Sequence, residues 1–167
     1  MITVEGRATC RMAFDYSDEW IPVKVTWDIE QPRNLCYLRI SGKNGGELEM
    51  KVDSSTGAIY QFIALELPTT EATMTDKGAK SRIDTAPIID LSPWGEQSPF
   101  PGSMQPKYVT ADIGIIKTDK STIVAVQNSE VYEWLICGPV FVGVSEAGAL
   151  VAIGLHPHSE SLLHRAR

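Results

Sequence analysis

Residues Glu47 to Pro68, ELEMKVDSSTGAIYQFIALELP, decide the fold class. Leu48, Met50 and Val52 alternate with Glu47, Glu49 and Lys51, the period of a strand with one face in a core. Asp53-Ser54-Ser55-Thr56-Gly57 is turn chemistry. From Ala58 to Leu67 both alternating sets are largely apolar, with Tyr60, Phe62 and Ala64 on one face and Ile59, Ile63, Leu65 and Leu67 on the other. A strand apolar on both faces belongs in the middle of a covered sheet. The stretch is therefore a hairpin whose second strand is central.

A similar outline returns at Phe141 to Pro157, FVGVSEAGALVAIGLHP. Both stretches hold a valine-ended strand, a short polar turn, a Gly-Ala pair and an apolar strand ending near proline. The pair points to an internal repeat within a single domain, 1–167. Its halves are 1–68 and 108–157, and the connecting loop is 69–107.

Working outward, Ile21, Val23, Val25, Trp27 and Ile29 occupy every second position, which predicts a strand with one face in the core. Pro22 cannot donate to a ladder and places the start of this strand at an edge. Ile2 to Phe14 reads as one strand with a bulge at Gly6, and Leu35 to Ser41 as another. Asn44-Gly45 marks a tight hairpin. In the second half, strands are expected at 108–117, 122–127, 131–137, 140–144 and 149–155, with a helical alternative for 131–137. Between the halves, 69–107 holds five of the ten prolines and no sustained period. Loops this long are uncommon in compact domains. Ala86 to Trp94 is apolar enough to pack on the body, and Glu71 to Arg82 is expected to be looser. No βαβ alternation and no long amphipathic helix is present. The expected class is mainly β and antiparallel, as two five-stranded meanders in a sandwich or a half-open barrel.

Composition narrows the function classes. The 167 residues carry a net charge of −6, which argues against nucleic acid as a direct partner and favours a basic protein partner. Cys10, Cys36 and Cys137 are odd in number and widely spaced, a pattern of reduced, buried thiols in a cytoplasmic protein. The N-terminus has no signal-peptide pattern, and no apolar run approaches the roughly 18 residues of a membrane helix.

Chemistry-bearing patterns are weak. Glu47 and Glu49 share a strand face about 7 Å apart, the spacing of a carboxylate pair, but also that of an ordinary solvated face. His156-x-His158, with Glu160 and His164 beyond, could share a metal only if further ligands converged. There is no Gly-x-Ser-x-Gly elbow and no phosphate-binding loop, and Cys137 sits in an apolar run. No cofactor, metal or catalytic residue is assigned.

Two stretches suit recognition instead. Asp15-Tyr16-Ser17-Asp18-Glu19-Trp20 sets two aromatics among three acids, which suits anchoring and steering of a basic protein. Trp94 and Phe100 form an aromatic pair in the long loop. The competing reading of each stretch is a tryptophan at the edge of the core beside an acidic turn. The expected function is a non-catalytic protein-binding module, most concretely an acidic immunity-type inhibitor that blocks a toxic effector. The alternatives are a small-molecule-binding β-barrel protein or enzyme with its pocket under 69–107, and a homo-oligomer paired through the edge near Trp20.

Overall fold

The computed structural model describes residues 1–30, 34–95 and 106–156. These residues are nearly all β. The first half holds β1 (Val4–Thr9), β2 (Ala13–Asp15), β3 (Val23–Trp27), β4 (Leu35–Gly42), β5 (Glu47–Asp53) and β6 (Ile59–Glu66). The connecting stretch holds β7 (Lys80–Ile83), β8 (Thr85–Ile89) and a 3-10 turn at Ser92–Trp94. The second half holds β9 (Lys107–Ala111), β10 (Gly114–Lys117), β11 (Thr122–Ala125), β12 (Glu133–Cys137), β13 (Val140–Val144) and β14 (Leu150–Leu155).

Two six-stranded sheets carry the fold, in the orders β2-β3-β6-β5-β4-β9 and β10-β11-β14-β13-β12-β7, and β1 pairs with β8 as a separate ribbon. Among the described residues neither sheet closes on itself, consistent with the expected sandwich. One continuous core draws on both sheets. Trp27, Leu38, Met50 and Phe62 come from the first, Leu135, Val142, Leu150 and Ile153 from the second, and Val4 and Ile89 from the ribbon.

The alternation read from the sequence sets these faces. Val23, Val25 and Trp27 are buried as expected, and β6 is central, between β3 and β5. Five strands of each half follow one order, 2-3-6-5-4 and 10-11-14-13-12, so the β5–β6 and β13–β14 hairpins hold equivalent places.

The expected meander breaks at one step in each half. β3 pairs with β6 and β11 with β14, giving a Greek-key order. The final strand of each half gains a partner on both edges this way, which suits its uninterrupted apolar character. The sheets are also mixed, because β9 adds parallel to β4 and β7 parallel to β12. Both parallel edge strands come from sequence-distant segments that no local period reveals. The expected first strand, 2–14, divides into β1 and β2 at Cys10–Met12, with a register shift between Val4 and Gly6.

The stretch expected to be looser, 71–82, is tied down. Ala72 N–H donates to Ile115 O at 3.1 Å, Val131 N–H to Thr75 O at 2.7 Å, and Lys80 N–H to Tyr132 O at 2.9 Å. Ala72, Met74 and Ala79 pack against Ala125, Val131, Val151 and Ala152. That cover explains why β13 and β14 are buried throughout. Within the strand expected at 131–137, Glu133–Cys137 forms β12, and the helical alternative does not occur.

A buried carboxylate clamps the ribbon to the second sheet. Glu133 on β12 accepts Arg7 Nε at 3.0 Å and Nη2 at 2.7 Å, and Arg82 Nε at 3.0 Å. Burial pushes the Glu133 carboxyl up. The hydrogen bonds and charges of Arg7 and Arg82 outweigh that and hold it below the usual carboxylate range.

Candidate functional site

The β2–β3 hairpin carries the acidic–aromatic stretch. Its loop is shaped by its own carboxylates. Asp15 Oδ1 accepts the Ser17 N–H at 2.8 Å, and Asp18 Oδ1 accepts those of Trp20 at 2.8 Å and Ile21 at 2.7 Å. Ser17 Oγ accepts the Lys24 N–H at 2.9 Å, and the Asp18 N–H donates to Ile21 O at 2.9 Å. Such side-chain-to-backbone bonds satisfy amides that would otherwise turn to water and favour one loop conformation.

That loop presents Trp20, which is 83% exposed. Tyr16 is also exposed, and its ring lies 6.1 Å from that of Phe14. An indole held in water buries no apolar area for the fold. Glu19 is exposed beside it.

Behind the hairpin lies the outer face of the first sheet. Cross-strand neighbours Lys24, Ile63, Glu49 and Arg39 form one row that ends at Tyr108 on β9. Phe14, Thr26, Gln61, Lys51 and Tyr37 form the next. Arg39 pairs with Glu49 at 2.9 Å, Lys51 Nζ sits 5.8 Å from the centre of the Tyr37 ring, and Gln61 Nε2 donates to Thr26 Oγ1 at 2.9 Å. These two rows hold three cations, Lys24, Arg39 and Lys51, and one anion, Glu49. The three acids Asp15, Asp18 and Glu19 are confined to the hairpin loop.

Five of the seven expected site residues, Asp15, Tyr16, Asp18, Glu19 and Trp20, are thus gathered on one hairpin. Trp94 has a different setting, half-buried and packed against the main core from the turn after β8. Phe100 lies outside the described residues. Two further exposed aromatics were not anticipated: Phe14 lies beside Tyr16 on β2, and Tyr108 lies on β9 at the opposite edge of the sheet. The spacing of Phe14 and Tyr16 was available as a signal, whereas Tyr108 is placed by the parallel β9–β4 pairing.

The weaker chemical patterns resolve into local structure. Glu47 accepts the Ser41 hydroxyl at 2.8 Å and Glu49 is engaged by Arg39, so each carboxylate has a cross-strand partner on β4. His156 stacks on Phe141 with ring centres 4.6 Å apart, and its Nδ1 lies 3.1 Å from the Lys120 carbonyl oxygen. His158, Glu160 and His164 lie outside the described residues. Among the described residues no three His, Cys, Asp or Glu side chains converge as a metal site.

Two clefts border the connecting stretch. One, of about 430 Å³, is lined by Thr9, Glu30, Asp53, Thr56 and Ile88. Asp53 accepts the Ser55 N–H and hydroxyl there, at 2.8 and 2.6 Å, and so shapes the β5–β6 turn. The other, of about 630 Å³, is lined by Lys77, Gln127, Glu130, Tyr132 and Glu146. No helix among the described residues is long and apolar enough to cross a membrane. No family model matches the sequence, and no curated protein matches it.

Proposed function

We propose that this chain is a non-catalytic protein-binding module that docks through the β2–β3 hairpin onto a basic protein. Its most concrete form is an acidic, cytoplasmic inhibitor of the immunity type, which neutralises a toxic effector by covering its working surface. The observation that carries this reading is Trp20, exposed at the tip of a loop held in shape by Asp15 and Asp18. A pre-shaped loop loses little entropy on binding, so more of the contact energy of an aromatic anchor is kept. The net charge of −6 and the three hairpin acids would steer a basic partner toward the hairpin loop. Phe14 and Tyr16, on the same hairpin, supply further aromatic area beside the anchor.

The test is affinity capture from the native lysate at graded salt, with wild type and Trp20→Ala in parallel and bound species identified by mass spectrometry. A dominant basic protein, weakened at least tenfold by Trp20→Ala and released by salt, supports the reading. Glu19→Lys should slow its association and flatten the salt dependence. Equal binding by both variants would remove the hairpin from the interface. A preparation that captures no protein but carries a small molecule would move the assignment to the clefts beside 69–107.

A further inference from the structure

Cys10 and Cys137 lie 127 positions apart in the chain, yet their sulfurs are 2.7 Å from each other, both buried. Even carbon atoms rest about 3.5–4.0 Å apart, and a disulfide measures about 2.05 Å. The pair is built into the fold from both sides. Cys10 occupies the bend between β1 and β2, where its N–H donates to Asp84 O at 2.9 Å and its Sγ lies 3.1 Å from Met12 O. Cys137 ends β12, and its Sγ lies 3.1 Å from Cys10 O. Beyond it, Gly138 turns at φ 55° against the Ala13 backbone, which seats the β12–β13 turn on the start of β2. Cys36, on β4, has no such neighbour among the described cysteines.

We propose that Cys10 and Cys137 are a dithiol site that closes to a disulfide when the folded protein meets a peroxide, covalently joining the first half of the chain to the second sheet. The hydrogen bond from the Cys137 thiol favours the thiolate of Cys10, whereas the same contact and burial disfavour that of Cys137. Cys10, which sits in the bend outside any strand while Cys137 is held at the end of β12, is the attacking sulfur. Its thiolate takes one peroxide oxygen, the O–O bond breaks, and the hydroxide released picks up a proton. The Cys137 sulfur then attacks the Cys10 sulfenic acid. An S–S bond forms, the S–O bond breaks, and the Cys137 proton leaves with hydroxide as water. In sum, two thiols and one hydrogen peroxide give one disulfide and two waters, and two electrons pass from sulfur to oxygen. Residues 10–12 lie outside any strand, so a local opening of this bend is enough to admit so small an oxidant.

The experiment treats the folded full chain with stoichiometric hydrogen peroxide, removes the excess, and unfolds it in iodoacetamide without reductant. Intact mass should show one alkylated thiol, Cys36, and peptide mapping a Cys10–Cys137 link. Prior reduction with dithiothreitol should restore three alkylated thiols. The oxidised form should melt on the order of 10 °C higher than the reduced form. Three alkylated thiols after peroxide, a stable oxygen adduct on Cys10, or a link to Cys36 would each overturn the proposal. Cys36→Ser leaves the pair intact. Peroxide-treated Cys36→Ser that migrates as a covalent dimer on a non-reducing gel would also overturn it.

Discussion

Asp18 fixes the backbone at Trp20: a single carboxylate oxygen accepts the Trp20 N–H at 2.8 Å while also taking that of Ile21 at 2.7 Å. The acid that gives the loop its charge is thus also the group that gives it shape. The two roles separate by mutation. Trp20→Ala should leave stability within about 0.5 kcal/mol of wild type, because the indole is exposed. Asp18→Ala should cost about 1 kcal/mol by removing an acceptor from two amides, lowering the melting midpoint by roughly 2–4 °C. Thermal unfolding of both variants checks this. A larger loss for Trp20→Ala than for Asp18→Ala would mean that the indole supports the fold.

Glu133 makes part of the stability depend on pH. Its folded carboxyl is held below the ordinary range, so the unfolded chain binds the proton more readily. The stabilisation is present above the unfolded value of about 4.3 and is lost as pH falls through the lower folded value. Glu133→Gln leaves Arg7 and Arg82 without their anion. Both arginines are partly solvated, so the cost at pH 7 should be about 2 kcal/mol, below that of a fully buried pair. Denaturant unfolding of both proteins should show this gap at pH 7 and its narrowing below pH 4. A gap constant down to pH 2 would contradict the clamp.

Gly154 lies under the Phe141 ring, where an added Cβ would collide with Cε2 and Cζ of that ring. Trp134 meets the same ring edge-on at 5.2 Å between centres, and Gly143 in turn underlies Trp134. Gly154→Val should therefore displace Phe141 from both Trp134 and His156, at a cost of about 1–3 kcal/mol. Near-ultraviolet circular dichroism should lose aromatic signal while the far-ultraviolet β signal remains. An unchanged near-ultraviolet spectrum would show that the ring packs elsewhere.

Thr26 and Gln61 form a buried polar pair on the outer face of the first sheet, and Gln61 Oε1 has no hydrogen-bond partner among the described residues. Thr26→Val alone should cost about 1–2 kcal/mol, since it also orphans Gln61 Nε2. Adding Gln61→Met should recover most of that loss, because both polar groups then leave together. A double variant less stable than the single one would show that the amide has another role.

Much of the fold was legible in order along the chain. Alternation at 21–29 and 47–52 identified the core faces, and the doubly apolar run at 58–67 identified a central strand. The hairpin loops announced themselves through Asn44-Gly45 and Gly57, both of which adopt or border positive φ. The acidic–aromatic stretch at 15–20 was also legible, but its geometry was not. Whether Trp20 faced water or the core depended on where Asp15 and Asp18 placed their carboxylates.

Strand period, turn chemistry and ionisation are local properties, so the β class, the alternating core faces and the net negative charge follow from the residues directly. The strand order, the parallel edges β7 and β9, the placing of Tyr108 beside Arg39, and the meeting of Cys10 with Cys137 and of Arg7 with Glu133 belong to the tertiary structure. Those partners are separated by tens to more than a hundred residues. Their approach is set by which sheet edges remain unpaired and which apolar faces remain uncovered once each half has folded, and no local pattern encodes that.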